Sequence, residues 1–167
     1  MLRIVPADTK EAVNQARALF REYAASLGVD LCFQNFEKEL EELPGEYAAP
    51  EGRLLLAFVE EASGASMGGR AAPGDLAGCI ALRRFNRDIC EMKRLYVRSQ
   101  YRGKGVGRAL ALAVIAAAQE IGCRRICLDT LPQMDAAQAL YHSLGFRDVP
   151  PYRFNPVPGA RYLELTL

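Results

Sequence analysis

The segment QYRGKGVGR, Gln100 to Arg108, sets Gly103, Gly105 and Gly107 among Arg102, Lys104 and Arg108, and an apolar repeat of helical spacing follows at once. Glycines in such a turn lack Cβ atoms, so successive backbone N–H groups can converge on phosphate oxygens. A helix start behind them adds about half a positive charge. From Met92 to Gln119 there are six basic residues and no Asp or Glu, although the whole chain carries a net charge of only +1. That contrast favours a small anionic ligand over nucleic acid or an anionic membrane. Two common phosphate motifs are excluded. No G-x-x-x-x-G-K-[ST] string occurs, and the glycines are spaced G-x-G-x-G, late in the chain, where a dinucleotide fingerprint needs G-x-G-x-x-G after the first strand.

The elements that must position this turn can be read from periodicity and punctuation. LRIVPAD reads as a first strand, and Asp8 or Thr9 as the cap of a helix carrying Ala12, Val13, Ala16, Leu19, Phe20 and Tyr23 on one face. A second helix is expected around FQNFEKELEEL, with Phe33, Phe36, Leu40 and Leu43 as its stripe and Glu37, Glu39, Glu41 and Glu42 as a solvated face. RLLLAFVEE, LAGCIALRRF and CEMKRLYV read as strands, with ASGASMGGRAAPGD as a flexible hairpin loop between the first two. The helix after the glycines carries Val106, Leu110, Ala113, Val114, Ala117 and Ile121 on one side, and Gly122 stops it. RRICLDTL, QMDAAQALYHSLGF and ARYLELTL complete the chain as strand, helix and strand. The order β-α-α-β-β-β-α-β-α-β predicts an α/β fold with a mixed sheet in one domain spanning residues 1–167.

Five cysteines (Cys32, Cys79, Cys90, Cys123, Cys127) show no metal-type spacing, and His142 is the only histidine. They read as reduced packing residues of a cytoplasmic protein, and no bound metal is expected. The N-terminus has no apolar signal core, and the longest strongly apolar run, Ala109 to Ala118, is too short for a bilayer.

Together these pieces resemble the GNAT superfamily of acetyl-CoA-dependent N-acetyltransferases. Gln100-x-x-Gly103-x-Gly105 is similar to the family's coenzyme A pyrophosphate loop, CEMKRLYV to its fourth strand, and ALYHSLGF to its last helix. The resemblance implies a single-domain GNAT-like fold: a mixed central sheet whose fourth and fifth strands splay apart, with helices on both faces. It implies a bulge in the fourth strand, so that Leu95, Tyr96 and Val97 offer backbone groups to the acetyl and pantetheine arm. Gln100, Arg102, Gly103, Lys104, Gly105, Val106, Gly107 and Arg108 would hold the phosphates. Acetyl-CoA is the implied cosubstrate and an amine the acceptor.

Such a transfer has two proton problems. An alkyl ammonium with pKa about 10.4 is neutral in roughly one molecule in two thousand at pH 7, and a thiolate leaving group has a conjugate acid near 8.5. The resemblance makes Tyr141 the proton donor to the sulfur and Glu91, at the start of the fourth strand, the base. Strand alternation puts Glu91, Lys93, Leu95 and Val97 on one face unless a bulge intervenes, and the plainer role for Glu91 is an ion pair with Arg94, Lys93 or Arg83. Met134 stands where many relatives have an asparagine that helps hold the cofactor. His142 points about 100° away from Tyr141 on a helix and reads as a surface or packing residue.

The acceptor is less constrained. The loop DVPPYRFNPVPGARYLEL is stiffened by Pro150, Pro151, Pro156 and Pro158 and carries Tyr152, Arg153 and Asn155. An arginine there can hold a carboxylate in two hydrogen bonds, which points to an amino-acid-like acceptor. A polyamine, an antibiotic-like amine and a protein amine stay open. The rival class, an acyl-CoA-binding sensor or interaction module, would keep the glycine loop and lose the acid and base. Strand edges leave a homodimer open.

Overall fold

The computed structural model describes residues 1–32, 35–60 and 74–167. Phe33 and nearly all of the glycine-rich hairpin loop lie outside the described residues. Strand β1 (Leu2–Pro6) leads into helix α1 (Lys10–Leu27), and the Thr9 side chain accepts from the Ala12 N–H at 3.1 Å. Helix α2 (Phe36–Glu42) follows, then strands β2 (Arg53–Val59), β3 (Asp75–Arg84) and β4 (Ile89–Val97). Helix α3 (Val106–Ile121) ends at Gly122, whose left-handed φ of 88° lets its N–H reach the carbonyls of Ala118 and Gln119. Strand β5 (Arg125–Thr130), helix α4 (Asp135–Ser143) and strands β6 (Arg147–Asp148) and β7 (Arg161–Thr166) complete the order. The two-residue β6 is too short to leave a periodicity, and the sequence reading has no counterpart for it.

The sheet runs β1-β2-β3-β4-β5-β7-β6, antiparallel throughout except between β4 and β5. Alternate residues of β2 feed opposite faces. Leu55 and Ala57 pack with Val106, Leu110, Val114 and Ala118 of α3, while Leu54, Leu56 and Phe58 pack with Leu19 and Phe20 of α1 and with Phe36 and Leu40 of α2. Both faces are thus covered, and β2 reads as an unbroken apolar run because it is buried on both sides.

Two expectations change here. Cys90 and Cys123 form a disulfide joining β4 to the turn after α3, so the cysteines are not all reduced; Cys32, Cys79 and Cys127 are free. Cys90 and Cys123 lie far apart in the chain and meet only when α3 packs on the sheet, which spacing arithmetic cannot show. The glutamates of α2 are also not one solvated face. Glu39 turns inward, accepting from the Arg94 Nε at 2.9 Å and from the Tyr47 hydroxyl at 2.6 Å.

Candidate active site

The site is built around an interruption in β4. Between the pairs Cys79↔Tyr96 and Ala81↔Lys93, Ile80 of β3 faces two residues of β4, Arg94 and Leu95. Arg94 takes a left-handed φ of 60° there, a conformation costing a non-glycine residue on the order of 1–3 kcal/mol. Its side chain is held on three sides: both oxygens of Glu39 accept from it, and its guanidinium lies 5.2 Å from the Phe36 ring centre and 6.0 Å from that of Tyr23. Just beyond the bulge, Gly78 pairs with Val97, and any Cβ on it would collide with the Tyr96 carbonyl oxygen. Gly78 therefore admits the close approach of β4 there, a role that a glycine inside a strand can signal.

The bulge reverses the alternation. Cys90, Met92, Leu95 and Val97 face α3, whereas Tyr96 packs on the α1 side, Lys93 lines a polar cavity beside α2, and Glu91 meets Arg83 of β3 and Tyr152 and Arg153 of the loop before β7. The shared face of Glu91, Lys93, Leu95 and Val97, expected only without a bulge, is broken here by the bulge that the family resemblance implies. The splay is present too. β4 and β5 pair only at Ile89↔Arg125, Cys90↔Ile126 and Glu91↔Cys127, and then part. The gap is a slot of 40 Å³ lined by Lys93, Arg94 and Leu95 of β4, Asp129 and Thr130 of β5, Tyr23 of α1 and Tyr141 of α4.

On one side the slot meets a groove of 590 Å³ whose walls include Leu95, Tyr96, Val97, Arg102, Gly103, Gly105, Val106, Gly107 and Arg108, with Ser26 of α1 and Asp135 to Ala137 of α4 opposite. Nine of the eleven residues assigned to the cofactor line it. Gln100 and Lys104 do not; the Lys104 ammonium lies 5.6 Å from the Tyr101 ring centre instead. Gly103 and Gly105 take left-handed φ values of 73° and 80°, and a Cβ at either would meet nothing within 4 Å. Their need for glycine is thus conformational, not spatial. No side chain caps α3 at Gly105, so its first-turn N–H groups are presented with the guanidinium of Arg102, which donates to the Val97 carbonyl at 2.9 Å. Uncapped N–H groups, nearby cations and the parted backbone of β4 fit a pyrophosphate with a pantetheine arm.

On the other side lies a polar chamber of 520 Å³. Groove and chamber have the size of ligand sites, and the slot between them has room only for a small group. The chamber's lining includes Lys38, Arg83, Lys93 and Arg153 together with Glu39, Glu42 and Glu46. Lys93 lines both chamber and slot.

Glu91 lies beneath this chamber with no exposed surface. Its Oε1 accepts from the Arg83 Nε at 2.8 Å and from Arg153 at 3.1 Å, its Oε2 accepts from the Tyr152 hydroxyl at 2.8 Å, and Lys93 Nζ stands 4.0 Å away. The base reading does not sit with this geometry, because both oxygens are occupied and neither the slot nor the chamber is lined by Glu91. The ion-pair alternative describes it, with Arg83, Arg153 and Lys93 as partners. Among the described residues, Arg153 Nε is the one buried side-chain nitrogen or oxygen without a hydrogen-bond partner.

Tyr141 is 6% exposed and borders the slot. Burial, helped by Tyr23 and Asp129, pushes its hydroxyl well above the usual phenol value, so it stays protonated. Asp129 accepts from Asn155 Nδ2 at 3.1 Å. His142 lies apart, paired with Asp148 at 3.0 Å. Sequence reasoning missed Tyr23, Ser26 and Asp129. Only Asp129, an acid inside the apolar run ICLDT, left a visible signal.

The chain matches the Acetyltransferase (GNAT) family over residues 30–146. It is 36% identical over 156 residues to an uncharacterized N-acetyltransferase of Schizosaccharomyces pombe, covering 93% of this chain and 88% of that one. It is 38% identical over 90 residues to an N-acetylaspartate synthetase of Xenopus tropicalis, covering 53% of this chain and 33% of that one. The fold is like that of the PaiA N-acetyltransferase from Thermoplasma acidophilum in complex with coenzyme A, with a TM-score of 0.70, 18% identity and coverage of 100% and 99%. The chain therefore belongs to the GNAT acetyltransferase family and is an acetyl-CoA-dependent N-acetyltransferase. Among the described residues no helix is long and apolar enough to cross a membrane.

Proposed function

We propose that the protein acetylates the amine of a small, amino-acid-like molecule by direct attack in a ternary complex. The observation that carries this reading is the slot where β4 and β5 part, which shares Tyr23 and Leu95 with the groove beside the α3 N-terminus and Lys93 with the polar chamber. Acetyl-CoA supplies the acetyl thioester; the α3 N-terminus, Gly103, Gly105, Arg102 and Arg108 would hold its phosphates, and the backbone of Leu95, Tyr96 and Val97 its arm. The acceptor would enter from the chamber, so that amine and thioester meet at the slot, and no covalent enzyme intermediate is needed.

Tyr141 borders the slot on the α4 side, protonated, and would share its proton with the sulfur as charge builds there. Arg153 favours an acceptor with a carboxylate, because its buried Nε lacks a partner and an unmet buried donor is costly, roughly 1–3 kcal/mol. The acids Glu39, Glu42 and Glu46 on the facing wall suit the ammonium of a zwitterion. The likeness to a protein named for N-acetylaspartate synthesis supports the same class. Glu91 acts as a positioning residue that holds Arg153, Tyr152 and Arg83 in register.

The test is coenzyme A release from acetyl-CoA across amino acids, their decarboxylated amines, aminoglycosides and peptides. Turnover of amino acids, cut at least tenfold in kcat by Tyr141→Phe with acetyl-CoA affinity kept, is expected. Binding of acetyl-CoA without turnover of any amine would move the sensor reading ahead.

A further inference from the structure

We propose that Lys93 is the group that takes the proton from the acceptor's ammonium, a role resting on the transferase reading above. The first argument is position. Of the described residues that border the slot, Lys93 is the one whose ionisable side chain also lines the polar chamber. It therefore stands where an acceptor coming from the chamber must bring its nitrogen. The second argument is burial. Lys93 is 8% exposed, on the same face of β4 as Glu91 and ahead of the bulge at Arg94. The third is elimination: the carboxylate of Glu91 is enclosed by Arg83, Arg153 and Tyr152.

Among the described residues, the charged and titratable groups around Lys93 come from several elements, Glu42 of α2 among them. Arg94 and Glu91 share its strand, and Arg83 stands on β3. Glu39 belongs to α2, Glu46 and Tyr47 to the turn after it, and Lys38 lies across the chamber. Arg153 comes from the loop before β7, and Tyr23, Asp129 and Tyr141 border the slot. Burial, then Arg94 and Arg153, outweigh the pull of Glu91 and Glu39 and bring the Lys93 ammonium down to about 8. A proton acceptor works best when its own pKa lies near the working pH. At such a value the amine is neutral in a large fraction of molecules in mildly alkaline solution, whereas an ordinary lysine is not.

The balance is as follows. The acceptor's ammonium gives one proton to neutral Lys93, and its nitrogen lone pair forms the C–N bond as the C–S bond breaks. The second nitrogen proton is lost as Tyr141 delivers its own to the departing sulfur and recovers one from the new amide. Lys93 then returns its proton to water through the open chamber.

Two measurements test this. The first is independent of turnover. In protein whose lysines carry reductively added ¹³C-methyl groups, with Lys93→Arg identifying the resonance, the Lys93 signal should titrate with a midpoint near 8. A midpoint above 10 overturns the proposal. The second is the pH dependence of kcat for two amine acceptors of different pKa. In the wild type kcat should rise with pH through about 8, a limb that stays in place for both acceptors. Lys93→Arg, which keeps the charge but cannot give up its proton, should lose that limb and at least a hundredfold in kcat. Lys93→Met should fall equally, with acetyl-CoA affinity unchanged in both. A limb that persists in Lys93→Arg, or activity rescued by arginine, overturns the base role while leaving the transferase reading standing. A limb that moves with Asp129→Asn instead assigns the proton to Asp129. If the wild type acetylates no amine, the transferase reading falls and this one with it.

Discussion

The groove and the chamber on either side of the slot are held open by different physics. The groove is shaped largely by backbone, namely two left-handed glycines, an uncapped helix start and a strand that has left its neighbour, with Arg102 and Arg108 beside them. The chamber and the charge cluster beneath it are built from side chains of segments far apart in the chain. Arg94 reaches Glu39 across 55 residues, Arg83 reaches Glu46 across 37, and Arg153 reaches Glu91 across 62. A backbone site depends on local conformation and tolerates change in its neighbours. A charge-built site fails when one partner is lost, because the remaining charges stay buried without compensation. On the proposed reading the groove would serve one cosubstrate and the chamber would select the acceptor.

The comparison breaks most sharply at Glu91. Glu91→Ala removes the carboxylate shared by Arg83, Arg153 and Tyr152 and should cost about 3–5 kcal/mol of stability, measured by urea unfolding. That is a large part of the total for a domain of this kind, about 5–15 kcal/mol. A loss under about 1 kcal/mol would mean that the chamber is not charge-built. Next is Arg153→Met, expected to raise KM for an amino acid by about ten- to a hundredfold with KM for acetyl-CoA unchanged, an effect of about 1.4–2.8 kcal/mol. Equal losses for amino acids and decarboxylated amines would remove the carboxylate from the argument.

Gly105→Ala is the matching cut on the groove side. The left-handed residue costs alanine about 1–2 kcal/mol, read as roughly ten-fold weaker coenzyme A binding by calorimetry with the acceptor KM unmoved. A smaller contrast comes with acid. Burial raises the Glu39 pKa, but Arg94 and Tyr47 outweigh it and leave the carboxyl below its usual value of 4.5. The pair's contribution is then full above that value and drains away as pH falls through the lower folded pKa. Glu39→Gln should flatten the acid limb of a stability profile. As a control on neither side, Thr9→Ala should cost about 1 kcal/mol through its lost cap alone.

How much of this was legible follows the same division. The elements of the sheet and helices were readable because both faces of the sheet are covered, which leaves apolar runs and stripes punctuated by Gly45, Gly122 and Gly145. Part of the groove's lining, from Leu95 to Arg108, was visible in the sequence because those residues lie close together in the chain, whereas Ser26 and Asp135 to Ala137 come to it from other elements. The bulge in β4 was expected from the family resemblance and not from periodicity, because the contacts that accompany it, at Gly78 on β3 and Glu39 on α2, are remote in the chain. The Cys90–Cys123 bond, the approach of Tyr152 and Arg153 to Glu91 and the inward turn of Glu39 were hidden for a related reason, while the pairing of Glu91 with Arg83 and Lys93 was among the sequence expectations.

The chain by itself determined the strands and helices apart from β6, and the glycine turn ahead of α3, because periodicity and glycine conformation act over a few residues. Only the tertiary structure decided which charges meet. It enclosed Glu91, brought Lys93 to the slot and left Arg153 Nε without a partner. Ion pairs between distant residues depend on how the layers pack, and no local pattern records that.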